Sequence, residues 1–409
     1  MFRKYLCVVF LLGTLVGLKA QQISDDSLNI YSTGYYDLPY FTYGVGLGII
    51  SPDSLYMLNI RFRMQNRVFS QFEDGRAEQI DALVRRLRLR FEGYVYSPRI
   101  MYVLQLSFSI NDMGITSRDI IPNVIRDAMI LYQANSYLRL GFGQTKLPGN
   151  RQRVNSSGDL QLVDRSVANA VFNIDRDVGI QAFYTRRLKG DFYYVLRGAI
   201  TTGEGRNQIP VNDRGLAFTG RVELLPFGLF INNGDYFEGD LIREPTPKLS
   251  IGITSNFNNN TRRSGGQLGR ELYAQKDITT WMADALLKYN GYSLSAEYIN
   301  RYAADPITIN ESDPTEFAWV YNGQGFNVQS GLLLRNNLEL VARYSFVQPN
   351  EEIWELEQKF THYTIGATRY IKGHRLKIQA DLTYEIREQM FLNQNSSNWQ
   401  ARFQIELGI

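Results

Sequence analysis

The chain has 409 residues, 44% hydrophobic and 21% charged, with 26 tyrosines, 23 phenylalanines, 34 glycines and 12 prolines. That balance excludes a disordered chain and a bundle of membrane helices, and the aromatic, glycine-rich, proline-poor composition favours pleated sheet. The formal charge of +3 makes no case for a nucleic-acid partner.

The first element in chain order is a predicted signal peptide over residues 1–20. Arg3 and Lys4 form its charged start, Leu6 to Leu18 its apolar core, and Ala20 precedes the expected cut at Gln21. The apolar core is shorter than the ~20 residues of a spanning helix. This leader holds the only cysteine, Cys7, so the mature chain is expected to have no disulfide and no cysteine metal site. It also carries Lys19, a third cation with no acid beside it, so the mature chain is neutral overall. Residues 21–56, rich in Tyr and Gly, are expected to form an exposed N-terminal extension or hairpin.

From residue 57 to 409 the apolar residues recur with period two. Sixteen strands are predicted, at 57–72, 80–97, 99–111, 127–134, 136–144, 177–188, 191–202, 214–226, 246–257, 278–290, 292–302, 324–334, 337–347, 361–371, 374–388 and 398–409. Many exceed the usual ~5–6 residues and match the ~9–11 that a bilayer requires. Tight turns at Ser97-Pro98, Asn135-Ser136, Lys189-Gly190, Asn290-Gly291, Asn336 and Lys372-Gly373 alternate with long polar stretches at 145–176, 257–277, 303–323 and 348–360. Short turns at one end and long loops at the other predict an all-β, transmembrane antiparallel barrel of about 16 strands. The segment 227–245 breaks the rule: it is long where a short turn is due. Its acids Asp235, Glu238, Asp240 and Glu244 lack calcium-loop spacing and are expected to be solvated. Tyrosines near strand ends, among them Tyr43, Tyr94, Tyr96, Tyr289, Tyr292, Tyr298, Tyr302 and Tyr370, fit an interfacial girdle or ordinary strand composition.

The stretch "VRRLRLRFEGYVY" (84–96) settles which face is wet. Arg86, Arg88 and Arg90 share one face, Leu87, Leu89 and Phe91 the other. A register slip would put three arginines into lipid at ~2–4 kcal/mol each, a loss that rivals the ~5–15 kcal/mol net stability of a domain. The arginines therefore face a lumen, expected to be an aqueous channel rather than a packed interior. The neighbouring strand adds Arg61, Arg63 and Arg67, and barrel closure brings Arg402 against it. Such a basic wall is either an anion path or a set of cations paired with the inward acids Glu92, Asp381, Glu385 and Glu406. The loop 145–176, with Lys146, Arg151, Arg153, Arg165 and Arg176, would narrow the pore and add cations if it folds inward.

No catalytic, metal or cofactor constellation is predicted. "GVGLG" (44–48) lacks the dinucleotide-binding spacing. Only His362 and His374 could serve a hydrolase, which would need a serine and an orienting partner within reach.

The runs "GFGQTKLPGNRQ" and "VDRSVANAVFNIDRDVGIQAFY" resemble the phosphate-selective porin O and P family, as do "GRVELLPFG" (220–228), "GFNVQSG" (325–331), "ARYSF" (342–346) and "HYTIGATRYIKGHRLKIQADLTY" (362–384). In order, they cover roughly residues 55–409. The resemblance implies a sixteen-stranded porin of the bacterial outer membrane, a homotrimer in outer-membrane lipid, with the third external loop folded inward. It implies small anions such as phosphate as solutes; the path expected from the residues themselves is lined by Arg61, Arg63, Arg67, Arg86, Arg88, Arg90, Lys146, Arg151, Arg153 and Arg402. Two features depart from the family pattern: the loop has a single lysine, Lys146, and the chain ends in Ile409 rather than an aromatic residue. The alternatives are a general or sugar-permeable porin, or a non-conducting barrel with a binding or assembly role.

Overall fold

The computed structural model describes residues 46–73, 78–113, 123–208 and 215–409. The predicted signal peptide and residues 21–45 lie outside them.

The strands, in chain order, are β1 (Leu47–Ile50), β2 (Tyr56–Glu73), β3 (Gln79–Val95), β4 (Ser97–Ser107), β5 (Ile125–Gln133), β6 (Leu138–Lys146), β7 (Arg176–Lys189), β8 (Phe192–Thr201), β9 (Ala217–Leu225) and β10 (Lys248–Arg263). They continue as β11 (Glu271–Tyr289), β12 (Tyr292–Tyr302), β13 (Ile307–Ile309), β14 (Phe317–Trp319), β15 (Gly323–Leu333), β16 (Leu338–Pro349), β17 (Lys359–Lys372), β18 (Leu376–Gln389) and β19 (Gln394–Gly408). Each barrel strand pairs antiparallel with its neighbour. β19 pairs back onto β2 from Asn398↔Glu73 to Gly408↔Arg63, closing a barrel of 16 strands. β1 pairs with β2 at Leu47↔Ile60 to Ile50↔Met57, in the lane that β19 leaves open beyond Gly408. β13 and β14 form a separate hairpin.

Burial inverts the order of a soluble protein. On β3, Arg86, Arg88, Arg90 and Glu92 are all buried. Outward Ile130, Phe142, Ile180, Ile253 and Ile365 are 57–64% exposed. An apolar exterior of this extent needs hydrocarbon around it. Among the described residues no helix is long and apolar enough to cross a membrane.

Three local expectations are corrected. The polar stretch 257–277 is mostly strand: β10 and β11 continue to Arg263↔Glu271, leaving 264–270 as the connection. These outer rungs carry largely polar residues on both faces, Asn258 to Arg263 and Gln275 to Asp277, so their side chains do not alternate. The first tight turn sits at Tyr96, with φ 66°, and Ser97 already pairs with Val95. The acids of 227–245 are not solvated: Asp235, Glu238, Asp240 and Glu244 are 1–7% exposed. Asn232 and Asn233 turn this segment with φ near 50°, a conformation asparagine tolerates.

Two connections account for much of the interior burial. Residues 147–175, between β6 and β7, contain the short helices α1 (Arg151–Val154) and α2 (Val167–Phe172). Lys377 on β18 donates to Gly158 O and Leu160 O at 2.7 and 2.8 Å. Val163 N donates to Asp381 Oδ2 at 2.9 Å, and Gln161 reaches Ser293 and Glu339 at 2.8 and 2.6 Å. Wall glycines make room for this connection. A Cβ on Gly325 would lie 2.8 Å from Phe172, on Gly331 2.0 Å from Gln161, and on Gly366 2.5 Å from Leu162. From the short-turn end, 226–247 meets the same connection: Glu238 N donates to Asp159 O at 2.9 Å, and Gln161 N to Glu238 Oε2 at 2.9 Å. The expected open lumen is thus packed over part of its section.

Candidate functional site

The basic wall arises from strand register. Arg61↔Arg90, Arg63↔Arg88 and Gln65↔Arg86 face each other directly across β2 and β3. Like charges so placed repel, and each guanidinium is steadied by oxygen. Arg61 and Arg90 share Glu92, the latter at 2.7 Å. Arg88 pairs with Asp112 at 2.6 Å, on a short helix (Ile110–Met113) after β4. Arg63 donates to Ser156 and Ser157 at 3.0 and 2.8 Å, and Arg86 to Gln65 Oε1 at 2.7 Å.

Between this wall and the 147–175 connection lies a cavity of approximately 260 Å³. Among the described residues, eleven arginines and Lys146 line it, against two carboxylates, Asp112 and Asp175. Seven of the ten residues expected from sequence are in this lining: Arg61, Arg63, Arg86, Arg88, Arg90, Lys146 and Arg153. The other three lie outside it. Arg67 is ion-paired with Asp164 at 2.5 Å and Arg402 with Asp381 at 3.1 Å, and the two flank Phe69. Arg151 is held by Glu223, Asp284 and Asp235 at 3.0, 3.3 and 3.7 Å. Of the acids expected to compete for the wall, Glu92 takes Arg61 and Arg90, whereas Glu385 holds His362 and Arg387, each at 2.6 Å.

Parity reading misses Arg85 and Arg126 because each is the extra residue of a β-bulge. Arg85 is skipped between Arg86↔Gln65 and Val84↔Asn66, and Arg126 between Asp127↔Gln105 and Ile125↔Leu106. A bulge re-aims a side chain that alternation would send outward. Arg206, in the connection after β8, gave no signal at all. Arg165 and Arg176 belong to the long-loop group of cations, and both line the cavity.

Connection residues show the local field. Burial, and then Arg153 and Arg86, push the Arg165 guanidinium well below its ordinary value. Burial works to raise Asp164, but Arg85, Arg86 and Arg67 hold it well below the usual carboxylate range. Asp175 behaves likewise through Arg153 and Arg176. Such a field disfavours further cations and favours an anion.

Other expected groups sort as follows. Tyr370 is not interfacial: it is buried, donating to Glu339 at 2.5 Å. Ser345, His362 and Glu385 are opposed across three strands, yet Ser345 Oγ is fully buried and has no hydrogen-bond partner among the described residues, and His362 Nε2 lies 2.6 Å from Glu385.

The sequence matches the family described as phosphate-selective porin O and P over residues 58–395. No curated protein matches it. Among solved structures it is similar to the outer-membrane channel DcaP of Acinetobacter baumannii (12% identity, 88% of this chain and 99% of that one, TM-score 0.54). It is also similar to the anion-selective porin of Comamonas acidovorans (10%, 87% and 100%, TM-score 0.53) and to Salmonella typhi OmpF (11%, 89% and 100%, TM-score 0.54). At these identities the likeness speaks for the fold. With the match to the family over most of its length, the chain belongs to the phosphate-selective porin O and P family and is a bacterial outer-membrane protein of the diffusion-channel kind.

Proposed function

We propose that this porin passes small anions, inorganic phosphate among them, along the cavity between β2–β5 and the 147–175 connection. The observation that carries this reading is the lining itself: among the described residues, twelve cationic side chains face two carboxylates. An anion entering it exchanges hydration for guanidinium N–H groups, whose fork matches phosphate and carboxylate oxygens. Each arginine already shares an oxygen partner, so no single contact holds the solute strongly, and it can leave as readily as it enters. The 147–175 connection acts as the inward loop and constriction, contributing Arg153 and Arg165 beside Lys146 at the end of β6. The structural-pairing alternative accounts for Arg67, Arg151 and Arg402, which stand outside the lining and serve to hold the connection. In the membrane the protein is a homotrimer, as the family resemblance implies.

The test is the reversal potential of purified protein in a planar bilayer under a salt gradient. Wild type is expected to prefer chloride over potassium, with phosphate blocking the chloride current. Arg86→Ser with Arg88→Ser is expected to lose most of that preference while the far-UV spectrum stays that of a barrel. An unchanged reversal potential in the folded variant removes the arginine wall from the path.

A further inference from the structure

A second cavity of approximately 260 Å³ adjoins the first, and Leu268 lines both. It lies at the end of the barrel where the long connections gather, among 264–270, β14, α2 and Glu357. Its chemistry differs from the first. Trp319 and Tyr321 supply ring faces, and Ala170, Val171, Leu268 and Ala318 supply apolar walls. The platform is held in place: Ala318 and Val320, flanking Trp319, pack with Leu272, Ile278 and Ala303, and Trp319 Nε1 donates to Glu357 Oε1 at 2.9 Å. Tyr321 meets Phe172 edge-on at 5.3 Å and donates to Gln358 O at 3.2 Å.

Two guanidinium groups complete it. Arg270 lies 6.0 Å from the Trp319 ring centroid. Arg301, 2% exposed, donates through Nη1 to Val171 O at 3.2 Å and through Nη2 to Asn173 O at 3.4 Å. Those two bonds cap the end of α2. They leave the buried Nε without an acceptor among the described residues, a costly state that an incoming oxygen would relieve. An inorganic anion has nothing to offer the rings and methyl groups here, and the neighbouring cavity suits it better. A charged end joined to a flat ring uses both halves.

We propose that this cavity is a ring-accepting antechamber: it binds small organic anions that carry a planar ring, with the charged end at Arg301 and Arg270 and the ring at Trp319. It hands them past Leu268 to the arginine-lined cavity. The proposal rests on the anion-channel reading only for that last step.

The probes are phenyl phosphate, inorganic phosphate and the neutral benzyl alcohol, as blockers of chloride current and as quenchers of tryptophan fluorescence. Phenyl phosphate is expected to bind about tenfold tighter than phosphate, the worth of one good ring contact, and benzyl alcohol weakly. Trp319→Ala is expected to erase that advantage without changing phosphate block, and Trp319→Phe to keep most of it. If Trp319→Ala unseats the hairpin, Arg270→Ser in the exposed connection reads the same site and is expected to weaken phenyl phosphate alone. Equal binding of the two phosphates by wild type, or a ratio that survives Trp319→Ala, overturns the antechamber. Quenching that depends on Trp319 in a channel without anion preference overturns the anion path and leaves the antechamber standing.

Discussion

Arg151 is the residue whose removal should do most to the channel without touching the arginine-lined cavity. It sits on α1 and is 3% exposed. Its guanidinium meets Glu223, Asp284 and Asp235, and donates to Ser250 Oγ at 2.7 Å and Asp235 O at 3.1 Å. Arg221 shares the site, reaching Asp284 at 2.5 Å and Glu223 at 2.7 Å. Burial alone would discharge the Arg151 guanidinium, but Glu223, Asp284 and Asp235 outweigh it and raise its pKa. Arg197, buried against the Tyr236 ring at 4.8 Å, also acts on Glu223 and Asp235, so three cations balance three buried carboxylates, one of them on the 226–247 segment. Arg151→Ala leaves two cations for three and removes the one that touches all three acids.

Breaking a buried pair in this way costs ~3–5 kcal/mol, because the remaining charges stay desolvated and unpaired. At 1.4 kcal/mol per decade, the seating of the 147–175 connection shifts by about a hundredfold to a few thousandfold. Single-channel recording should show a larger and noisier current than wild type, and limited proteolysis should open the connection. The companion variant Arg151→Met, Glu223→Gln, Asp235→Asn removes cation and acids together and is expected to recover much of the loss, since an apolar or neutral replacement of a buried cluster is often tolerated. Wild-type current, noise and protease resistance in Arg151→Ala would refute the view that this cluster holds the connection.

Gly366→Val should act on the same seating from the other wall, since its Cβ would lie 2.5 Å from Leu162 Cδ2 and 2.9 Å from the Ala380 carbonyl. Overpacking of this kind costs ~1–3 kcal/mol, seen as a lower urea midpoint, with Gly198→Ala as the silent control because no atom lies within 4 Å of its added Cβ. Asp159 predicts a pH dependence. Its fully buried carboxyl has no hydrogen-bond partner among the described residues, and burial raises its pKa from 3.8 to about 7 against the opposing pull of Lys377, Arg63 and Lys146 and with the help of Glu406, while Glu238 N donates to its backbone carbonyl. The folded chain holds this proton more tightly than the unfolded one, so its stabilising share is complete below pH 3.8, declines as pH rises and is gone above about 7. The urea midpoint measured between pH 4 and 8 should fall less steeply in Asp159→Asn, and an identical slope would contradict this.

What the sequence made legible is what lipid constrains. Leu87, Leu89 and Phe91 must meet hydrocarbon, so Arg86, Arg88 and Arg90 had only one face left, and the same period-two argument located the strands. It weakens where that constraint ends. Beyond the bilayer both faces of β10 and β11 carry largely polar residues, and the rungs from Thr261↔Lys276 to Arg263↔Glu271 read as loop. Inside the barrel the problem is deeper, because a polar residue suits bulk water and a hydrogen-bonded lumen equally well. Asp235 and Glu238 therefore looked like solvated acids, although their partners Arg151 and Gln152 lie more than eighty positions away. Arg85 and Arg126 were hidden for a third reason: a bulge changes parity without changing composition. The residues hardest to read were thus the ones that shape the interior. In this chain the hydrophobic half of the alternation fixes the barrel, while in the polar half register, bulges and distant ion pairs decide which of many arginines lines the cavity and which holds the wall.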